Sequence, residues 1–103
     1  MQTTRDDVRH GLQMARESDS DEFKAETVWF YFEYDTYTDP VVAAIKIHPD
    51  EYVNPSALID RLLKELDRAD ERDREMKRFR EGHKDLLQNS YPEFLRLLPD
   101  HLK

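Results

Sequence analysis

The sequence predicts an α+β fold in the order α-β-β-α-α, an antiparallel β-hairpin packed on helices. Three observations predict it. Residues 24–48 hold two β-rich runs separated by the breaker Thr38-Asp39-Pro40, Asn54-Pro55 opens a long segment with a helical apolar stripe, and short capped segments stand near both ends.

Residues 1–17 read as the N-terminal helix. Thr4 with Asp7 three residues on makes a capping-box-like start, and Val8, Leu12 and Met14 or Ala15 recur at helical spacing. Gly11 weakens this helix by roughly 1 kcal/mol relative to Ala. Residues 18–23 form an acidic linker that begins Ser-Asp-Ser-Asp-Glu. Ser18 and Ser20 also resemble an acidic phosphoacceptor site, although short Ser/Asp links are common.

The hairpin is expected over 24–48, with its loop through Asp35 to Pro40, since proline cannot donate to a ladder. Its first strand lies in the run VWFYFEYDTY, 28–37, which packs one Trp, two Phe and three Tyr into ten positions. Period-2 alternation puts Val28, Phe30, Phe32 and Tyr34 on the core face and leaves Trp29, Tyr31, Glu33 and Asp35 on the other. On the second strand Val41, Ala43, Ile45 and Ile47 share the core face.

Residues 55–88 are expected as a long charged helix, with a break offered by Gly82. Ala57, Leu58, Ile59, Leu62, Leu63 and Leu66 form its apolar stripe, and after Leu66 the stripe fails. A heptad-like spacing continues, but Asp73 and Arg80 interrupt it, which argues against a self-sufficient coiled coil. Ser90 with Glu93 looks like a second capping box, opening a short C-terminal helix over 90–98 that Pro99 ends.

At 103 residues the chain is expected to be a single domain, 1–103, with a small core. It contains no Cys, which excludes disulfides, thiol nucleophiles and Cys-based metal sites, and no apolar run approaches a membrane span. A cytoplasmic location and no membrane partner are the expectation. Net charge is −7, and all of it falls in residues 1–54, which carry five Lys/Arg against twelve Asp/Glu, while 55–103 carry eleven of each. Such a field disfavours nucleic acid and favours a basic partner. A salt-adapted source would give a similar Asp-rich balance.

Catalytic chemistry finds little support. His48, Asp50 and Glu51 in His-Pro-Asp-Glu are the densest cluster of potential ligands, but turn chemistry explains that tetrapeptide, and no His pair at i,i+4 or acidic calcium loop accompanies it. The two glycines are isolated, so there is no phosphate-cradling loop. No enzyme activity, catalytic residue, cofactor or metal site is expected.

What remains is binding. The stretch 74–84 holds five Lys/Arg against two Glu, and Arg74, Lys77, Arg78 and Lys84 fall near one side at helical spacing. They offer a second surface, suited to nucleic acid with Trp29 or Tyr31 as a stacking platform. Against this, residues 55–88 carry nine basic and nine acidic side chains, the usual signature of a solvated face. The favoured expectation is a small acidic protein-protein interaction module, such as an inhibitor, immunity protein, antitoxin or mobile-element protein that binds a basic surface like a nucleic-acid-binding groove. Its contact residues would be Trp29, Tyr31 and Glu33 on the uncovered sheet face, with Asp35, Tyr37 and Asp39 at the loop. Dimerisation is expected as well, and a structural homodimer that simply buries the same face, with no inhibitory role, is the plainer alternative.

Overall fold

No strand forms among the described residues, which make an all-α fold, and the segment expected as a β-hairpin is helical over 24–34 and 40–44. The computed structural model describes residues 3–34 and 39–103 and falls into two compact units, 1–67 and 68–103. Unit 1 begins with α1 (Arg5–Arg16). Thr4 Oγ1 accepts the Asp7 N–H at 3.1 Å and Asp7 accepts the Thr4 N–H at 3.0 Å. These two bonds hold the Asp7 carboxyl below its ordinary range.

The acidic linker is shorter than the sequence suggests, because Ser20 starts a helix. Its Oγ accepts the Phe23 N–H at 3.1 Å, and Asp21 and Glu22 occupy the first turn of α2 (Asp21–Trp29), where the helix dipole favours negative charge. Helix α2 passes into a π-helical turn, Phe30–Tyr34. The physical reason for the departure lies in the run itself. Where nearly every position is apolar, period 2 and period 3.6 fit equally well, and burial decides: Lys24 and Val28 are buried and Tyr31 is half-buried, the i, i+4, i+7 spacing of a helix. Phe30 and Tyr34, assigned to the core face of a strand, are exposed, and Tyr31, assigned to the free face, packs against the core.

The second expected strand divides in two. Asp39 Oδ1 accepts the Val41 N–H at 2.8 Å and Pro40 stands in the first turn, so residues 40–44 become the short helix α3 (Pro40–Ala44) with Val42 buried. After it the chain is extended, and Ile45 and Ile47 alternate inward against the core, which is the part of the β pattern that survives. His48-Pro49-Asp50-Glu51 forms a 3₁₀ turn over Pro49–Val53. Asn54 Oδ1 then accepts the Ala57 N–H at 3.2 Å and opens α4 (Pro55–Gly82).

The core of unit 1 joins Val8, Leu12 and Ala15 of α1 to Val28 of α2, Val42 of α3, and Leu58, Ile59, Leu62, Leu63 and Leu66 of α4. Each buried Leu or Ile there stabilises the fold by about 1.5–3 kcal/mol. Lys24 lies among them, its Nζ donating to Ser56 Oγ at 2.9 Å with Asp21 4.0 Å away, so the buried ammonium has a polar seat.

Unit 2 holds the remainder of α4, then α5 (Lys84–Asn89), α6 (Tyr91–Leu97) and a closing 3₁₀ turn, Asp100–Leu102. Helix α4 ends at Gly82. Ser90 precedes α6, yet its side chain makes no capping bond, so the second capping box does not form. Phe79 stacks on His83 with ring centroids 4.1 Å apart and meets Phe94 at 5.2 Å, and Phe94, Leu98 and Leu102 are the buried apolar side chains of this unit among the described residues.

Candidate protein-binding groove

The candidate site is the solvent face of α2 and its π turn. An α-helix does not place residues five apart over one another, but a π turn, with its i→i+5 bonding, does. Trp29 and Tyr34 accordingly stack with centroids 5.3 Å apart, and Phe30 and Tyr34 stack at 5.8 Å. Phe30 also meets Tyr31 edge-on at 5.2 Å. The rings brace one another although Trp29 is 48% and Tyr34 61% exposed. π turns recur at functional sites.

Beside these rings, residues of α1, α2 and the π turn line an open apolar groove of about 600 Å³, formed by Gly11, Met14, Phe23, Trp29, Phe30 and Tyr31, with Glu26 and Thr27 also on its wall. Gly11, which looks like a flaw in α1, has a purpose here. A Cβ at that position would lie 2.5 Å from Tyr31 Cε2 and Oη, so the missing side chain is what lets the Tyr31 ring rest on the helix. Glu26 and Trp29 also line a second depression of about 310 Å³, with Ala25 and Tyr52. They form the wall between the two.

The electrostatics of this face are negative. Unit 1 carries seven Lys/Arg against fifteen Asp/Glu. Five of its cations sit beside carboxylates: Arg5 by Asp39 at 3.3 Å, Arg9 by Asp6 at 2.8 Å, Arg16 by Asp60 at 3.9 Å, Lys24 by Asp21, and Arg61 by Glu51 at 2.7 Å. Glu22, Glu26 and Glu33 are exposed and enter no ion pair among the described residues. Burial pushes the Tyr52 hydroxyl up to about 12. The Glu33 charge adds to this, although no bond to Tyr52 Oη meets ordinary hydrogen-bond geometry, and Glu51 adds a little more.

The residues singled out in the sequence are distributed as follows. Trp29 is exposed on the groove wall, Tyr31 lies in its floor and Glu33 is exposed on the π turn. Asp39 is engaged, capping α3 and pairing with Arg5. Asp35 and Tyr37 lie outside the described residues. Arg74, Lys77, Arg78 and Lys84 are exposed in unit 2. His48 Nδ1 accepts the Asp50 N–H at 3.3 Å and Glu51 accepts the His48 N–H at 2.9 Å, while Glu51 also receives Arg61, so that tetrapeptide is occupied with turn bonds. Among the described residues no three His, Asp or Glu side chains are grouped to hold a metal ion, and no helix is long and apolar enough to cross a membrane.

Sequence reading missed Met14, Phe23, Phe30 and Tyr34 as members of this face. The signal was present: Phe23, Thr27, Phe30 and Tyr34 recur at 3–4 residue spacing behind the N-cap Ser20. Compared with family models, with curated proteins and with solved structures, the chain matches none.

Proposed function

We propose that this protein is a non-catalytic interaction module that binds a partner protein with a basic surface through the aromatic groove of unit 1. One observation carries the reading. Trp29, Phe30 and Tyr34 are exposed and mutually stacked beside an apolar groove, although the core next to them is filled without them. Pre-ordered aromatic side chains lose little conformational freedom on binding and provide the large apolar contacts typical of binding hot spots. The negative field of the unit supports a basic partner.

The test compares the full chain with its Trp29→Ala and Phe30→Ala variants as bait against an extract, with helix content checked by circular dichroism. The expected result is a protein retained by the native chain, lost by both variants, and able to shift the emission of Trp29, the chain's single tryptophan, once purified. Equal retention by folded variants would overturn the reading. The basic residues Arg74, Lys77, Arg78 and Lys84 belong to the other unit, and binding of an oligonucleotide that falls steeply with salt and vanishes in Arg74→Glu/Lys77→Glu/Arg78→Glu would replace this reading with nucleic-acid recognition.

A further inference from the structure

We infer that the segment received by this groove is an amphipathic helix carrying arginine, its apolar side chains seated in the groove and an arginine laid against Trp29 and paired with Glu26. The inference rests on the reading of the groove as a protein-binding site and names the chemistry of its occupant.

Position on the helix is the first support. Glu22, Glu26, Trp29 and Glu33 follow one another at intervals of four, three and four along α2 and its π turn, beside the exposed aromatic row of Phe23, Phe30 and Tyr34. This side of the element therefore presents an acidic stripe with one indole in it, next to an apolar one. The stripe runs roughly 16 Å, about three helical turns. A partner helix with apolar side chains at i, i+3, i+4 and i+7, and bases flanking them, has the matching period and length.

Charge complementarity is the second. Five of the seven cations of unit 1 already sit beside carboxylates, whereas Glu22, Glu26 and Glu33 enter no ion pair among the described residues, so the field at the groove is left for an incoming base.

The third support selects arginine over lysine. Glu26 and Trp29 wall both depressions together, placing a carboxylate next to an exposed indole. A guanidinium is planar, stacks on an aromatic face and presents a fork of donors to a carboxylate at the same time. An ammonium is a compact, strongly hydrated point charge and does not combine the two.

The experiment uses the full chain and a displayed library of helical peptides with a fixed apolar stripe and flanking positions randomised among Arg, Lys, Gln and Glu. Selected peptides are synthesised and titrated while Trp29 emission is followed. The expected winners carry arginine at flanking positions. Replacing it by Gln weakens binding roughly five- to tenfold and replacing it by Lys weakens it less. Glu26→Gln in the protein reproduces the loss for the arginine peptide and leaves the Gln peptide unaffected.

Winners without arginine, or arginine and Gln peptides of equal affinity, overturn the inference while the groove remains a protein-binding site. An absence of any winner that shifts Trp29 emission overturns both. Without peptide, a concentration-dependent Trp29 shift that sedimentation assigns to self-association, and that Lys77→Glu/Arg78→Glu abolishes, identifies a second copy of the chain as the occupant and overturns it too.

Discussion

Ten apolar side chains pack into one buried cluster in unit 1, whereas unit 2 buries Phe94, Leu98 and Leu102 among its described residues and adds polar ties. Those ties include His101 Nε2 to Glu75 at 2.7 Å and an Arg72 N–H donated to the Lys103 carbonyl at 3.2 Å. Ring contacts occur in both units and most of the ion pairs among the described residues lie in unit 1, so what sets unit 2 apart is how little apolar surface it buries. The contrast matters for function. Exposed aromatics beside a poor core would be apolar residues that failed to pack. Beside a core as complete as that of unit 1, the exposed Trp29, Phe30 and Tyr34 stand outside the buried cluster, which is the physical basis for proposing that they bind a partner.

The sharpest way to break this comparison is to empty each core in turn. Leu62 is fully buried in unit 1, and Leu62→Ala is expected to lower stability by about 2–5 kcal/mol in a denaturant titration. Leu98→Ala in unit 2, with fewer buried neighbours around it, is expected at the lower end of that range. Equal losses would remove the distinction between the units.

A smaller effect with a more informative sign comes from Gly11. Adding a Cβ forces the Tyr31 ring away, an overpacking cost of roughly 1–3 kcal/mol that about 1 kcal/mol of helix propensity partly offsets. Gly11→Ala should therefore destabilise the native chain. In a Tyr31→Ala background the obstacle is gone, and the same substitution should stabilise by about 1 kcal/mol. A double-mutant cycle without that reversal would show that Tyr31 does not rest on Gly11.

How far the sequence could be read follows from the same residues. Starts with a specific chemical mark were legible: Thr4 with Asp7, and Asn54 before Pro55, open α1 and α4 because one side-chain oxygen satisfies a defined backbone N–H. The apolar stripe of α4 from Leu58 through Leu66 was legible too, since polar residues separate its pairs, although Ala57, counted in it, is exposed. Residues 24–48 were misread because their density of apolar side chains erases periodicity. The deciding marks were the caps Ser20 and Asp39, small features in segments taken for linker and loop. Trp29 was picked out as a contact residue on a strand face and occupies the wall of a groove between helical elements. The π turn, which sets the stacking of Tyr34, has no local sequence mark that distinguishes it from a regular helical turn.

The most delicate probe of unit 1 is Tyr52, which tests how far its dry interior reaches beneath the second depression. Burial and the nearby charge of Glu33 push its hydroxyl from the ordinary 10 to about 12. A phenol whose pKa is raised by folding contributes stability that is fully present below pH 10 and is lost as pH rises through 12. An ultraviolet titration should therefore show a phenolate appearing only near pH 12, and Tyr52→Phe should delete that step. Glu33→Gln should bring it down only part of the way, because loss of solvation, ahead of the carboxylate, is the larger cause. A full return to the ordinary value in Glu33→Gln would mean that charge alone perturbs Tyr52. The hydroxyl would then be wet, and the edge of the unit 1 core would have to be drawn inside it.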